Sequence, residues 1–327
     1  MSSTMTPAMT PAMTRIEAAI TGLGAHRPAH REDNTAVAER TASTDAWIRE
    51  RSGIVSRGVA APDETIVEMA ASAGAKALAA AGVDAGDVGL VLVATCTLTQ
   101  PIPPASASVA VRRGASQAGA LDLGAACAGF TYGLSVAADT VRSGTAEHVL
   151  VIGSEKFSDI VDPSDRGTAF LFGDGAGAAV VSRGDVRGVF PAVWSHDGGS
   201  AGVLRTEGSP PVLRMEGRAV YRWATTSVPD LVRRACDAAG LSLSDLAAFV
   251  PHQANLRITE SVVRALRLPD SVVVARDVVD SGNTSAASVP LALSRLVELG
   301  SVRRGDPVLL AGFGAGLTAA AQVVLCP

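Results

Sequence analysis

The chain is poor in aromatic residues: Phe, Trp and Tyr together make up 4% of its 327 residues. Its core must therefore be built from Val, Leu and Ala, and so much Ala calls for closely packed helices. Charge is also scarce, at 18% of residues, and nearly balanced at a formal −4. Without an excess of Lys and Arg the chain lacks the electrostatic footprint of a nucleic-acid binder. No apolar run approaches the roughly 20 residues that cross a bilayer. The N-terminus shows no charged segment followed by an apolar one, so no secretory signal is read there. Cysteine is sparse and scattered, at Cys96, Cys127, Cys236 and Cys326. The absence of any Cys-x-x-Cys pair excludes the common zinc and dithiol motifs and suits a reducing cytoplasm. Neither a metal nor a permanently bound cofactor is expected. A nucleotide-binding loop is missing as well. Gly173-Asp-Gly175-Ala-Gly177 and Gly312-Phe-Gly314-Ala-Gly316 lack the G-x-G-x-x-G spacing, Gly22-Leu-Gly24 lacks the third glycine, and no G-K-[ST] occurs.

What is present is an apolar, Ala- and Gly-rich chain, 47% hydrophobic with a mean hydropathy of +0.28. Its length accommodates two domains or one fused unit. Thr-Pro-Ala-Met at 6–9 recurs at 10–13, so residues 1–14 are expected to form a disordered tail, with Met13 a candidate start. Beyond the tail the chain repeats itself. Ala79-Ala-Ala-Gly82-Val-Asp-Ala-Gly-Asp87 precedes an apolar strand, and Ala238-Ala-Gly240-Leu-Ser-Leu-Ser-Asp245 precedes another 158 residues later. Val149-Leu-Val-Ile-Gly153 and Val308-Leu-Leu-Ala-Gly312 match at an offset of 159. Apolar strands are predicted at 89–94, 148–153, 176–182, 247–250 and 307–311. Helices are predicted at 65–81, 128–143, 228–239, 256–266 and 288–299. Continuous apolar strands between helices imply sheets covered on both faces. Cys127 and Asn283, 156 apart, each open a helical pattern and are read as equivalent positions of two copies.

Three segments carry the chemistry. Cys127 lies in Asp122-Leu-Gly-Ala-Ala-Cys127-Ala-Gly-Phe130, where a strand pattern gives way to a helical one. Small neighbours let a bulky substrate reach the sulfur, and a helix N-terminus favours the thiolate. Val250-Pro-His252-Gln-Ala-Asn255 and Asp280-Ser-Gly-Asn283-Thr-Ser285 supply partners. Cys, His and Asn together suggest thioester chemistry. Cys96 follows an apolar strand without a donor-rich motif and reads as packing. Cys236, in a helix, and Cys326, at the terminus, read as bystanders.

Further motifs are Trp47-Ile-Arg-Glu-Arg51 within 43–54, Ala126-Cys127-Ala-Gly-Phe-Thr-Tyr132, Asp165-Arg166-Gly167-Thr168, Phe172-Gly-Asp-Gly-Ala-Gly177, the segments 251–258 and 282–290, and Gly312-Phe-Gly-Ala-Gly316. In this order and spacing they resemble the β-ketoacyl-acyl-carrier-protein synthase III family, condensing enzymes of the thiolase-fold superfamily. The resemblance runs from Arg15 to the end. It implies an α/β fold of five layers, αβαβα, from two duplicated halves at 15–183 and 187–327, and normally a homodimer. It implies that Cys127 takes the acyl group of an acyl-CoA and that malonyl carrier protein, losing CO2, attacks it, with His252 and Asn283 as paired donors to the enolate. It places an oxyanion hole at the backbone N–H groups of Cys127 and Ala315, the latter where many relatives carry Gly. Trp47, Arg51 and Arg166 would hold the CoA nucleotide, while Asn255 would meet the pantetheine and Phe313 would line the substrate site. Ile102 would wall the acyl pocket across the dimer interface. Arg218 stands where some relatives have a pantetheine-contacting Asn. Arg222, Arg257 and Arg264 would dock the acidic carrier protein. The product starts a fatty-acid or polyketide chain. The competing readings are a related acyltransferase serving a non-malonyl acceptor, a non-catalytic scaffold partner, thiolase and HMG-CoA synthase. The Gly/Ser/Pro-rich segment 195–214 looks short for the family.

Overall fold

The computed structural model describes residues 16–327, so the tail expected at 1–14 lies outside the described residues. The first part of the chain runs β1 (Glu17–His26), β2 (Arg31–Asp33), α1 (Asn34–Arg40), α2 (Asp45–Ser52), β3 (Ser56–Gly58), α3 (Ile66–Ala81), β4 (Val88–Ala94), α4 (Ala105–Arg113), β5 (Gly119–Leu123), α5 (Gly129–Arg142), β6 (His148–Glu155) and β7 (Gly175–Gly184). The second part runs β8 (Val193–His196), β9 (Leu204–Glu207), β10 (Val212–Met215), α6 (Gly217–Ala239), β11 (Ala248–Pro251), α7 (Leu256–Leu266), β12 (Val273–Val274), α8 (Val278–Ser281), α9 (Ser288–Glu298), β13 (Pro307–Gly314) and β14 (Thr318–Leu325).

Two five-stranded sheets result, ordered β1-β7-β6-β4-β5 and β8-β14-β13-β11-β12. Numbered by their own chain order, both read 1-5-4-2-3. Both also share one pattern of directions, with antiparallel pairing on the first-strand side and parallel pairing at the other edge. The repeat seen as matching strings is therefore a repeat of topology.

The strands are apolar along their whole length because both faces are covered. β6 sends Val149 and Val151 to a central layer with Phe130 and Leu134 of α5 and Leu293 of α9, and sends Leu150 and Ile152 to an outer layer with α3 and α4. β13 likewise puts Val308 and Leu310 in the central layer and Leu309 and Ala311 against α6 and α7. The layers are thus α3/α4, sheet, α5/α9, sheet, α6/α7, the five-layered αβαβα arrangement. Each fully buried Val, Leu or Phe contributes roughly 1.5–3 kcal/mol. α3 ends as its sequence directs: Thr65 caps it by accepting the Glu68 N–H, and Gly82 closes it at φ 64°.

Two expectations need correction. The helix expected at 228–239 begins at Gly217 and runs through the buried Pro229. A proline reads as a helix start, but packing of Ala224 and Val228 against the second sheet carries the helix past it. The pairing of Cys127 with Asn283 also fails by three residues. Short 3-10 turns at Ala126–Ala128 and Ser285–Ala287 precede α5 and α9, and each starts on a residue in the left-handed region, Ala126 at φ 44° and Ser285 at φ 46°. The counterpart of Cys127 is therefore Ala286, and Asn283 sits just ahead of its turn.

Candidate active site

Cys127, His252, Asn283 and Gly314 converge on one cleft of about 940 Å³. Each follows the C-terminal end of a strand or opens a helix: Cys127 lies between β5 and α5, His252 after β11, Asn283 before α9, and Gly314 at the end of β13. In parallel α/β sheets this is the edge where ligands bind.

Cys127 is buried, in the 3-10 turn that leads into α5. Gly314 makes room for its side chain. Its φ of 177° is ordinary extended backbone, but a Cβ there would sit 2.7 Å from the Cys127 sulfur. Burial pushes the Cys127 thiol up to about 11; the Ser285 hydroxyl lowers it, the Glu155 charge raises it, and the backbone N–H groups of Ala315 and Cys127 lower it. The expectation that the helix terminus leaves a thiolate is corrected: desolvation wins, and the resting group is the thiol. Burial likewise raises Cys236 and Cys326 to about 11 and Cys96 well above its ordinary value, so acidity does not single out Cys127. Access does, because Cys127 opens on the cleft whereas Cys236 and Cys326 are packed in cores. Cys96 is exposed as a residue, although its sulfur turns inward towards Glu155.

His252 is held from three sides. Its backbone N–H donates to Ala311 O at 2.7 Å, its Nδ1 meets Ser288 Oγ at 2.7 Å, and its ring packs edge-on against Phe313. Burial depresses its pKa to about 3, so the imidazole is neutral. Ser288 Oγ also accepts the Gln253 N–H at 3.3 Å; the tautomer in which it donates its own proton to Nδ1 carries the imidazole hydrogen on Nε2. The Asn283 backbone is clamped by a bridge to Phe172: its N–H donates to Leu171 O at 2.8 Å, and its carbonyl accepts from Gly173 at 3.0 Å. Its Oδ1 accepts the Ser285 N–H at 2.9 Å, so the amide nitrogen is the end left for a ligand.

Trp47, Arg51, Arg166, Asn255 and Phe313 all line the same cleft. Arg166 stacks over Trp47 at 4.6 Å, and Arg51 stands 5.5 Å from the ring centroid. A base entering between Trp47 and Arg166 would have to part them. Asn255 has its oxygen committed: it caps α7 by accepting the Ile258 N–H at 3.0 Å, so only its amide nitrogen can serve a substrate. Arg222 and Arg257 are exposed on the rim, Arg257 over Tyr221 at 5.9 Å; Arg264 donates to Ser261 on the same helix and lies off the cleft. Ile102 is not brought to this cleft. It is 86% exposed beside a separate concavity formed with Thr97 and Lys156. The segment 195–214 forms a 3-10 turn and part of the β9–β10 hairpin, and Leu204 and Met215 of that hairpin line the cleft. Sequence reading passed over these two, since nothing local marks a hairpin residue as a cleft wall.

Comparison with known proteins matches residues 121–208 to the 3-Oxoacyl-[acyl-carrier-protein (ACP)] synthase III family and residues 236–326 to its C-terminal counterpart. A beta-ketoacyl-[acyl-carrier-protein] synthase III of Streptomyces lividans is 48% identical over 319 residues, 94% of each chain. A mycobacterial one from Mycobacterium avium is 43% identical over 94% of this chain and 95% of its own length. Among solved structures, the priming beta-ketosynthase of the R1128 polyketide biosynthetic pathway superposes with a TM-score of 0.94 at 46% identity, covering 98% of this chain and 99% of its own. The synthase III of Pseudomonas aeruginosa PAO1 gives a TM-score of 0.90 at 38% identity, covering 95% and 98%.

Proposed function

The chain belongs to the 3-oxoacyl-[acyl-carrier-protein] synthase III family, and from that premise we propose how its own residues divide the reaction. The activity is acyl transfer with decarboxylative condensation, joining an acyl-CoA primer to malonyl carrier protein at the start of a fatty-acid or polyketide chain. Cys127 attacks the primer thioester and CoA leaves. Malonyl carrier protein then loses CO2, and the electrons of the broken bond form a thioester enolate. No base has to remove a carbon-bound proton. What the site must supply is donors for the enolate oxygen, and His252 Nε2–H and the Asn283 amide are arranged for this. The carbanion attacks the acyl-Cys127 carbonyl, whose oxyanion meets the N–H groups of Cys127 and Ala315. The observation that carries this reading is the convergence of Cys127, His252 and Asn283 from two sheets on one cleft, with the His neutral. Incubation with an acyl-CoA and malonyl carrier protein is expected to release CoA and CO2 in equal amounts with one β-ketoacyl product. Primer consumed without CO2 would support the acyltransferase alternative instead.

Trp47, Arg51 and Arg166 are assigned to the CoA nucleotide through stacking and cation–π contact. Arg222 and Arg257, at the rim, are assigned to the carrier protein; Arg264 lies seven residues along α7 from Arg257 and extends that face. A homodimer is supported by the open edge of β5, where Leu121 is 43% exposed, near a face that also leaves Ile102 bare. Four free thiols suit the cytoplasm, and no helix of the described residues is long and apolar enough to cross a membrane.

In such a dimer Ile102 walls the partner's acyl pocket. An aliphatic side chain there leaves room for longer or branched primers than an aromatic ring would, at about 0.8 kcal/mol per buried methylene. Ile102→Phe is expected to slow butyryl-, isobutyryl- and hexanoyl-CoA several-fold while sparing acetyl-CoA. An unchanged primer profile would remove Ile102 from the pocket.

A further inference from the structure

His252 and Asn283 reach the cleft from different parts of the chain, yet one short stretch, the entry to α9, orients both. Asn283 is turned by the Ser285 N–H, which occupies its Oδ1 at 2.9 Å. Ser288 then opens α9, fully buried, with its Oγ 2.7 Å from His252 Nδ1.

The proton count at Ser288 decides what that contact does. A hydroxyl donates once and accepts up to twice. The Gln253 N–H reaches Ser288 Oγ at 3.3 Å and can only donate. Among the described residues the hydroxyl has one further hydrogen-bonding neighbour, His252 Nδ1. If Nδ1 also donated, the hydroxyl proton would be buried without an acceptor, at a cost of about 1–3 kcal/mol. The hydroxyl is therefore satisfied when it donates to Nδ1, which puts the imidazole hydrogen on Nε2. Gln253 keeps its own N–H in place for this. It is buried, its Nε2 donates to Pro251 O at 2.7 Å and Ala275 O at 3.3 Å, and its Oε1 accepts the Val278 N–H at 3.1 Å. The chain around His252 is thereby tied to α8, which leads into Asn283.

We propose that Ser288 is a positioning residue for condensation: its hydroxyl holds the His252 ring with the hydrogen on Nε2, so that His252 enters the malonyl half-reaction as a donor and not as a base. The partner at Nδ1 distinguishes the two roles. A carboxylate there accepts Nδ1–H and leaves the lone pair on Nε2, the arrangement of a His that takes protons. A hydroxyl that donates to Nδ1 does the reverse. Among the described residues no carboxylate bonds His252, and burial lowers its pKa to about 3, so the ring stays neutral as the enolate forms beside it. The edge-on contact with Phe313 steadies the ring but does not choose between its nitrogens, and Ser288 does.

The proposal rests on the reading of His252 as an enolate donor, and the test separates the two. Isotope-labelled histidine, read by nitrogen NMR, reports which ring nitrogen carries hydrogen. The chain has five histidines, and His252→Ala identifies the signal by its loss. In wild type at neutral pH the hydrogen is expected on Nε2. Single-turnover acylation of Cys127 and the rate of condensation are then followed for Ser288→Ala and Ser288→Thr. Removing an oxyanion donor costs about 10²–10³ and loosening one costs less, so Ser288→Ala is expected to lower condensation by about tenfold to 10²-fold and to acylate within about twofold of wild type. Ser288→Thr keeps the hydroxyl and is expected to restore most of the rate. Should the extra methyl group of Thr not fit the buried site, the wild-type tautomer and the split between half-reactions in Ser288→Ala still decide. Hydrogen on Nδ1 in wild type, full condensation by Ser288→Ala, equal loss in both half-reactions, or a folded Ser288→Thr no faster than Ser288→Ala overturns the role of Ser288 alone. Full condensation by His252→Ala overturns the donor reading and the proposal together.

Discussion

Cys127→Ala is expected to abolish primer loading, with a fall on the order of 10⁶ in acyl transfer, the scale seen when the nucleophile of a covalent mechanism is removed. The loss has one cause. Cys127 is the cysteine that opens on the cleft beside His252 and Asn283. Cys96, whose sulfur bonds Glu155 and Ser285, points into the floor of the site rather than at the substrate. Decarboxylation of malonyl carrier protein should survive in the same variant, because the enolate donors on His252 and Asn283 remain. Protein mass after incubation with acyl-CoA, together with CO2 release from malonyl carrier protein, checks both statements. An acyl adduct retained at wild-type level would end the assignment.

Asn283 is expected to matter in the other half-reaction. Removing one donor to a developing oxyanion costs about 10²–10³ in rate. Asn283→Ala should therefore lower condensation by that factor and slow acylation of Cys127 much less. The same side chain accepts the buried Ser285 N–H, and leaving that group unpaired costs about 1–3 kcal/mol. Asn283→Asp controls for this, since it keeps the acceptor and loses the donor. If both half-reactions fell equally in both variants, the division of labour between Cys127 and the His252–Asn283 pair would be wrong.

Particular residues show how far the sequence could be read. Asp122–Phe130 marked Cys127 as a candidate nucleophile because its small residues and its change of period are both local. Leu256–Leu266 was legible as a helix to the residue, since its apolar spacing is strong and Asn255 caps it. The N-terminal turns of α6 were not, because a proline inside a helix is overruled only by packing. The match of Cys127 to Asn283 was off by three residues, because strings of Ala and Gly align at several registers and only the two left-handed turns at Ala126 and Ser285 decide among them. The thiolate expected at Cys127 was also misjudged, since a helix terminus is visible in a sequence and desolvation is not.

By itself, then, the sequence determined the duplicated α/β architecture, the family and the choice of Cys127, His252 and Asn283, which meet in one cleft. Each rests on periodicity or on residues close together in the chain. Tertiary structure alone decided the protonation of Cys127 and His252 and the exposure of Ile102. Those depend on burial and on groups far apart in sequence, which meet only when the two sheets close on the helices between them.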